Sequence, residues 1–161
     1  MIESKMLLTD AVAELKARIG GEAELGPWLK MTQERINDFA QATGDFQWIH
    51  LDQKRAEAES PYGKTIAHGF LTLSLVHYLA GMVNADKPPI PGAQRLINYG
   101  LNKVRFPSPV SPGENIRAHV EVISVKEVKD SLELIKKITV EIENSEKPAC
   151  VVEIVTRAYF S

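Results

Sequence analysis

Apolar and polar residues alternate differently in the two halves of this chain. From residue 95 onward four segments are strand-like, roughly 95–106, 114–128, 132–143 and 149–160, and the third and fourth carry the period of a half-buried strand. In the third, Leu132, Leu134, Ile138, Val140 and Ile142 stand against Glu133, Lys137, Thr139, Glu141 and Glu143. In the fourth, Val152, Ile154, Ala158 and Phe160 stand against Glu153, Arg157 and Tyr159. Successive side chains leave a strand on opposite faces, so this pattern puts one row in a core and the other in water. The second segment changes phase. Ile116, Ala118, Val120 and Val122 share one face, while Ile123 and Val125 fall on the other, which predicts a bulge or a strong twist. Lys129-Asp130 and the run from Asn144 to Lys147 are short enough to be hairpin turns, so the strands are expected to be antiparallel.

The first half reads as helices and loops. Apolar positions at helical spacing over 9–19, behind Thr9 or Asp10 as a cap and ahead of Gly20-Gly21, predict an N-terminal extension helix. A second helix is expected from Thr32 to Gly44, with Ile36, Phe39 and Ala40 on one face. Residues 45–69 are polar and rich in turn signals, and read as a long loop with one short helix near Gln53–Glu59. A loop of that length is uncommon in a compact domain unless it has a function. Phe70 to Val83 is apolar almost all round, broken only by Thr72, Ser74, His77 and Gly81. A helix without a polar face must be enclosed by other structure. The strands that follow the Pro88–Pro91 loop supply the enclosure, so the fold class is α+β: a long central helix wrapped by a curved antiparallel sheet. Residues 1–24 form the helical extension, and 25–161 a single domain.

Composition narrows the partners. A chain of 161 residues suits one domain, and its 44% hydrophobic and 25% charged content is ordinary for a globular protein. Nineteen basic and 21 acidic residues give a net charge of −2 with no block of one sign, so neither nucleic acid nor an anionic membrane is the expected partner. Cys150 is the sole cysteine and reads as a small apolar strand residue; the absence of an intrachain disulfide fits a reducing compartment. The N-terminal residues lack the basic start of a signal peptide and its unbroken apolar stretch, which Asp10 and Glu14 interrupt, and Phe70–Val83 falls short of the roughly 20 residues that span a bilayer. A cytoplasmic protein is expected.

The chemistry-bearing candidates gather in and beside the long loop. Of four histidines, His119 alternates outward on a strand and reads as solvated, and His77 reads equally as a core or a pocket residue. Asp45 and His50 lie five residues apart just after a helix end, where a loop can turn both toward one pocket. An Asp and a His together can hold one water and move two protons near neutral pH. On spacing alone, a helix cap and a surface histidine remain the plainer reading. His68-Gly69 precedes the apolar helix, whose free N–H groups and dipole suit an oxyanion; a simple tight turn accounts for Gly69 as well.

Three stretches together resemble the MaoC-like dehydratases, which include the (R)-specific enoyl-CoA hydratases, and in particular the subgroup named after nodulation protein N. The first is Phe39, Gly44-Asp45, Gln47-Trp48, Ile49-His50 and Ala56; the second runs from Pro61 to Leu71 through His68-Gly69; the third runs from Asn102 to Val110, then Gly113-Glu114. The resemblance covers roughly residues 27–160. Gln47-Trp48 departs from the Asn-Pro of many hydratases, which leaves acyl-chain preference and turn geometry open. The resemblance implies a hot-dog fold and a trans-2-enoyl thioester lying beside the central helix. A water would sit between Asp45 and His50, with Asp45 taking its proton as it attacks C3 and His50 delivering a proton to C2. The Gly69 N–H would bind the thioester oxygen. It further implies no metal or redox cofactor, coenzyme A or acyl carrier protein as the carrier, and a homodimer. Lys103 and Arg105 suit the carrier's phosphates and a solvated strand edge equally. Two other readings compete: a hot-dog thioesterase, disfavoured because residues 70–83 contain no Asp or Glu, and a non-catalytic acyl-thioester binding domain, which would not need the Asp45–His50 pair.

Overall fold

In chain order the computed structural model, which describes residues 2–83 and 89–160, begins with α1 (Ile2–Ala17), β1 (Glu24–Leu25), β2 (Leu29–Lys30) and α2 (Gln33–Thr43). The segments α3 (Trp48–Leu51), α4 (Gln53–Glu59), α5 (Gly69–Ser74) and α6 (Val76–Leu79) follow. The chain closes with β3 (Arg95–Arg105), β4 (Asn115–Val128), β5 (Ser131–Ile142) and β6 (Cys150–Tyr159). Part of the proline-rich connection expected at 88–91, residue 88, lies outside the described residues. Among the described residues no helix is long and apolar enough to cross a membrane.

The alternating segments form the sheet, all antiparallel, in the order β1-β4-β5-β6-β3, with β2 also pairing along β4. The phase slip in β4 is a bulge: register shifts between Val122 and Ser124, after which Val125 turns inward and Ile123 is left exposed. β3 folds back beside β6 rather than beside β4, so it forms one edge of the sheet. The two-residue strands β1 and β2 were not expected; pieces that short carry no readable period.

One face of the sheet is covered in two halves. Ile36 and Ala40 of α2 and Leu71, Val76 and Leu79 of α5–α6 meet Ile116, Ala118, Ile138, Val140, Val152 and Ile154. Leu8, Ala11 and Leu15 of α1 meet Val122, Val125, Leu132, Leu134, Ala158 and Phe160. Burying a leucine is worth about 1.5–3 kcal/mol, so two of them, Leu8 and Leu15, tie the extension helix firmly to the sheet. It starts earlier than the pattern predicts, at Ile2 rather than residue 9. Between the two clusters, the inward row of β5 carries Lys136, buried between Leu134 and Ile138. Gly26 marks the closest approach of connecting chain to central helix: a Cβ there would stand 1.7 Å from the Leu79 carbonyl oxygen.

α2 has the ends its sequence predicts. Thr32 Oγ1 accepts from the Arg35 N–H at 3.2 Å, and Gly44 terminates the helix at φ +77°, donating to the Ala40 carbonyl at 2.8 Å. α4 occupies the predicted 53–59, but the four-residue α3 breaks the supposed loop and carries His50.

The apolar stretch from Phe70 corrects two expectations. It is helical only from Gly69 to Leu79, with a seam at Leu75 (φ −81°, ψ −9°), and chain turns beyond Ala80 where Gly81 takes φ +68°. Backbone bonds Leu75 N–H to Leu71 O (3.1 Å) and Leu79 N–H to Leu75 O (2.9 Å) cross the seam, so α5 and α6 act as one central helix. Nor is this helix enclosed on all sides. Phe70 is 68% and Tyr78 50% exposed, with exposed Ser74 between them. That 4-residue spacing marks a single bare face.

Candidate active site

Asp45 lies in the extended stretch between α2 and α3, just past the left-handed Gly44 that ends α2. Its Oδ1 accepts from the Gln47 N–H at 3.3 Å, and its own N–H reaches Thr43 Oγ1 at 3.5 Å. The carboxylate remains accessible, at 56% exposure, and the caps of the flanking helices are Gly44 and Gln47 rather than Asp45. His50, on the single turn of α3, is buried rather than at the surface. Its Nδ1 bonds the Ile66 carbonyl at 2.7 Å. A carbonyl only accepts, so the hydrogen sits on Nδ1 and Nε2 is left as the lone-pair nitrogen of the neutral ring. Burial is the main influence on His50 and holds its pKa below the usual value; the Ile66 bond and Asp45 oppose that, while neighbouring His68 adds to it.

Other residues hold this arrangement in place. Gln33 Nε2 donates to the His50 carbonyl at 2.8 Å, and Gln33 Oε1 accepts from Thr65 Oγ1 at 2.6 Å. The Ile66 N–H bonds the Ile49 carbonyl at 3.1 Å, and Ala67 N–H the Val110 carbonyl at 2.7 Å, which pins the segment before α5 to both sides. Nothing in the local sequence of Gln33 or Ile66 marks these contacts, since both depend on chain brought from afar.

His68 completes the cluster. Its ring stacks on His50 with centroids 3.7 Å apart and planes 28° apart, and Phe39 lies tilted against it at 5.1 Å. His68 Nε2 lies 3.0 Å from the Asp45 backbone carbonyl and 4.0 Å from Asp45 Oδ2. One ligand-type atom from each of Asp45, His50 and His68 lies within 4.8 Å of the others. A water bridging two groups needs about 2.7–3 Å to each, so one molecule spans that gap. A zinc ion is a poorer fit. Near-parallel stacked rings cannot both aim in-plane lone pairs at one ion at roughly 2.0–2.1 Å, and His68 Nε2 is already directed at a carbonyl.

Gly69 opens α5 directly after His68. A Cβ at this position would stand 3.1–3.3 Å from three ring carbons of Phe106, so glycine leaves the first turn open beside that ring. The Leu71 and Thr72 N–H groups both turn back to the His68 carbonyl. Farther along the helix a groove of about 410 Å³ lies between the central helix and β3, lined by Leu73, Val76, Tyr99, Leu101 and Ile154 and reaching His77 and Asn98. His77 is thus both of the things its sequence allowed: it bonds Asn98, burial lowers its pKa, and it faces the groove.

The remaining candidates lie elsewhere. His119 points outward as predicted but is not simply solvated. It pairs with Glu141, which also accepts from Arg117 Nε at 2.7 Å and is held below the usual carboxylate range by the two together. Lys103 pairs with Glu153 at 3.4 Å, and Arg105 donates to the Val104 carbonyl. Cys150 is fully buried, and burial raises its thiol to about 11, which leaves it unreactive.

Known proteins share this architecture. The sequence pattern of the MaoC like domain matches residues 14–144. The chain is 45% identical to 3-hydroxyacyl-thioester dehydratase Z of Mycobacterium tuberculosis over 92% of its own length and 95% of that protein. It is 41% identical to nodulation protein N of Rhizobium leguminosarum bv. viciae over 93% and 92%. The crystal structure of a MaoC-like dehydratase from Rhodospirillum rubrum superposes with a TM-score of 0.70 at 20% identity, covering 90% of this chain and 95% of that one. An antiparallel sheet around a central helix is the hot-dog arrangement, and the chain belongs to the MaoC-like dehydratase domain family.

Proposed function

We propose that this protein adds water reversibly to a trans-2-enoyl thioester to give the (R)-3-hydroxyacyl thioester. The observation that carries the reading is the approach of the Asp45 carboxylate and the His50 ring to within one water's span, beside the open first turn of the central helix. The pair works with one shared proton. For hydration the proton starts on His50 Nε2: Asp45 takes a proton from the water as its oxygen bonds C3, and His50 delivers its own to C2. For dehydration the proton starts on Asp45: neutral His50 Nε2 accepts the C2 proton, and Asp45 protonates the departing hydroxyl. An incoming water resets the pair. As negative charge grows on the thioester oxygen, the Gly69 N–H donates to it.

The acyl chain follows the groove along the helix. Eight residues separate Gly69 from His77, about 12 Å at 1.5 Å per residue, which sets the depth of the slot. Coenzyme A or acyl carrier protein carries the thioester, and two copies of the chain form a homodimer across the bare helix face and β3. That one relative is named a 3-hydroxyacyl-thioester dehydratase supports the reaction class. The test is a spectrophotometric assay of purified protein on short and medium enoyl-CoAs, with chiral analysis of the crotonyl-CoA product. Formation of the (R) alcohol is expected; the (S) alcohol, or no turnover of any enoyl or 3-hydroxyacyl thioester, overturns the reading.

A further inference from the structure

His68 takes no part in the steps above, yet it is more deeply buried than His50, at 3% exposure against 8%. Its two nitrogens are treated very differently. Nε2 faces the Asp45 carbonyl at 3.0 Å, which requires the hydrogen to lie on Nε2. Nδ1 is then a bare lone pair, buried and without a partner among the described residues. Leaving such a group unsatisfied is destabilising. A residue kept only for packing would be better replaced by an apolar ring of the same shape.

The contacts of His68 show what that cost supports. Asp45 sits on extended chain with an exposed side chain, and apart from local bonds to Thr43 and Gln47 its backbone is fixed by the His68 bond. His50 is held at its ring edge by Ile66 and across its ring face by the His68 stack. One side chain therefore touches both members of the pair: the first through an in-plane N–H, the second through a flat face. Phenylalanine offers the face without the donor, and glutamine a donor without the face.

We propose that His68 is the positioning residue of this site, fixing the Asp45 backbone and the His50 ring in one relative geometry so that a single water can meet both. The inference rests on the proposed hydratase reading. It is tested by His68→Phe and His68→Gln, each alone and each combined with His50→Gln. In the otherwise unchanged protein each substitution lowers kcat by on the order of 10–100-fold, the scale of a misplacement of about 1 Å, with KM moved less than about twofold. In the His50→Gln background the same substitutions have almost no further effect, because the ring that His68 holds is already gone. A residue with only a structural role would instead lower the melting temperature and reduce activity by the same factor in both backgrounds. Equal losses in both backgrounds, full kcat in both single variants, or unfolding of both variants would each overturn the proposal. A wild-type protein without thioester turnover would remove the hydratase reading instead, so the two failures are distinguishable.

Discussion

Asp45 and His50 were legible as a pair because their spacing, the Gly44 helix stop before them and the polar stretch after them all stand in one short segment. What the segment does not contain is the support: Ile66 and Gln33 lie 16 and 17 residues from His50 in sequence, and His68 lies 23 from Asp45. Two predictions belong at this scale. Asp45→Asn and His50→Gln each lower kcat by roughly 10²–10⁴-fold with little change in melting temperature, and the double variant is hardly worse than the worse single, since groups that act on one water are not additive. Unchanged rates in both single variants would dismiss the pair. The second prediction concerns pH. Both directions run from the pair holding one proton, so kcat/KM falls as pH rises through the His50 pKa and that proton is lost. Burial lowers that pKa, so the alkaline limb begins below the ordinary histidine value of about 6.5. The profile of a 3-hydroxyacyl-CoA read from about pH 5 to 8 checks this; a rate that keeps rising above the ordinary value contradicts the shared proton.

Among the elements, β4, β5 and β6 were legible to within a residue or two because alternation over some ten positions leaves little freedom of register, whereas β3 is exposed along most of its length and has no such row. The bulge in β4 showed itself as a break in the same alternation. Short elements were lost for the converse reason: α3 has four residues and β1 and β2 two each, too few for any period. The seam at Leu75 and the bare face of the central helix were hidden by composition, since leucine and phenylalanine look alike whether covered by this chain or by another. Lys136 breaks the inward row of β5 and is the one long cation in that row. Burial lowers its pKa first of all, with the Arg18 charge adding to the effect and Glu24 opposing it. A lysine whose folded pKa is depressed binds its proton more readily when unfolded, so its burden on stability is greatest at neutral pH and lessens as pH rises through the folded pKa. Lys136→Met, which keeps the length and removes the charge, is therefore expected to raise the melting temperature by roughly 2–4 °C at neutral pH, the shift that accompanies about 1 kcal/mol in a chain of this size. The gain should shrink toward the ordinary lysine pKa of about 10.4. Thermal melts at neutral and alkaline pH decide it, and a lower melting temperature at neutral pH would mean that the charge is compensated inside the fold.

At the scale of the whole molecule, the bare face of the central helix and the edge strand β3 form one continuous apolar region. Phe70 and Tyr78 supply the helix side; Ile97, Tyr99 and Leu101, with Phe106 just beyond β3, supply the other. The region adjoins an edge whose outer backbone groups have no strand beside them among the described residues, a surface that pairs readily with another strand. A second copy related by a two-fold axis meets both needs, because an isologous interface sets each patch against its equal. The expected outcome is a particle of twice the 17.9 kDa chain mass in light scattering. Replacing both Tyr99 and Leu101 by Glu places charges in the middle of that patch and is expected to give a folded monomer. The monomer should also turn over more slowly. Phe106 belongs to the patch and its ring lies over Gly69, so whatever holds that ring also shapes the mouth of the site. A stable wild-type monomer at working concentration, or a monomeric variant with undiminished kcat, would separate assembly from catalysis and leave the patch to some other partner.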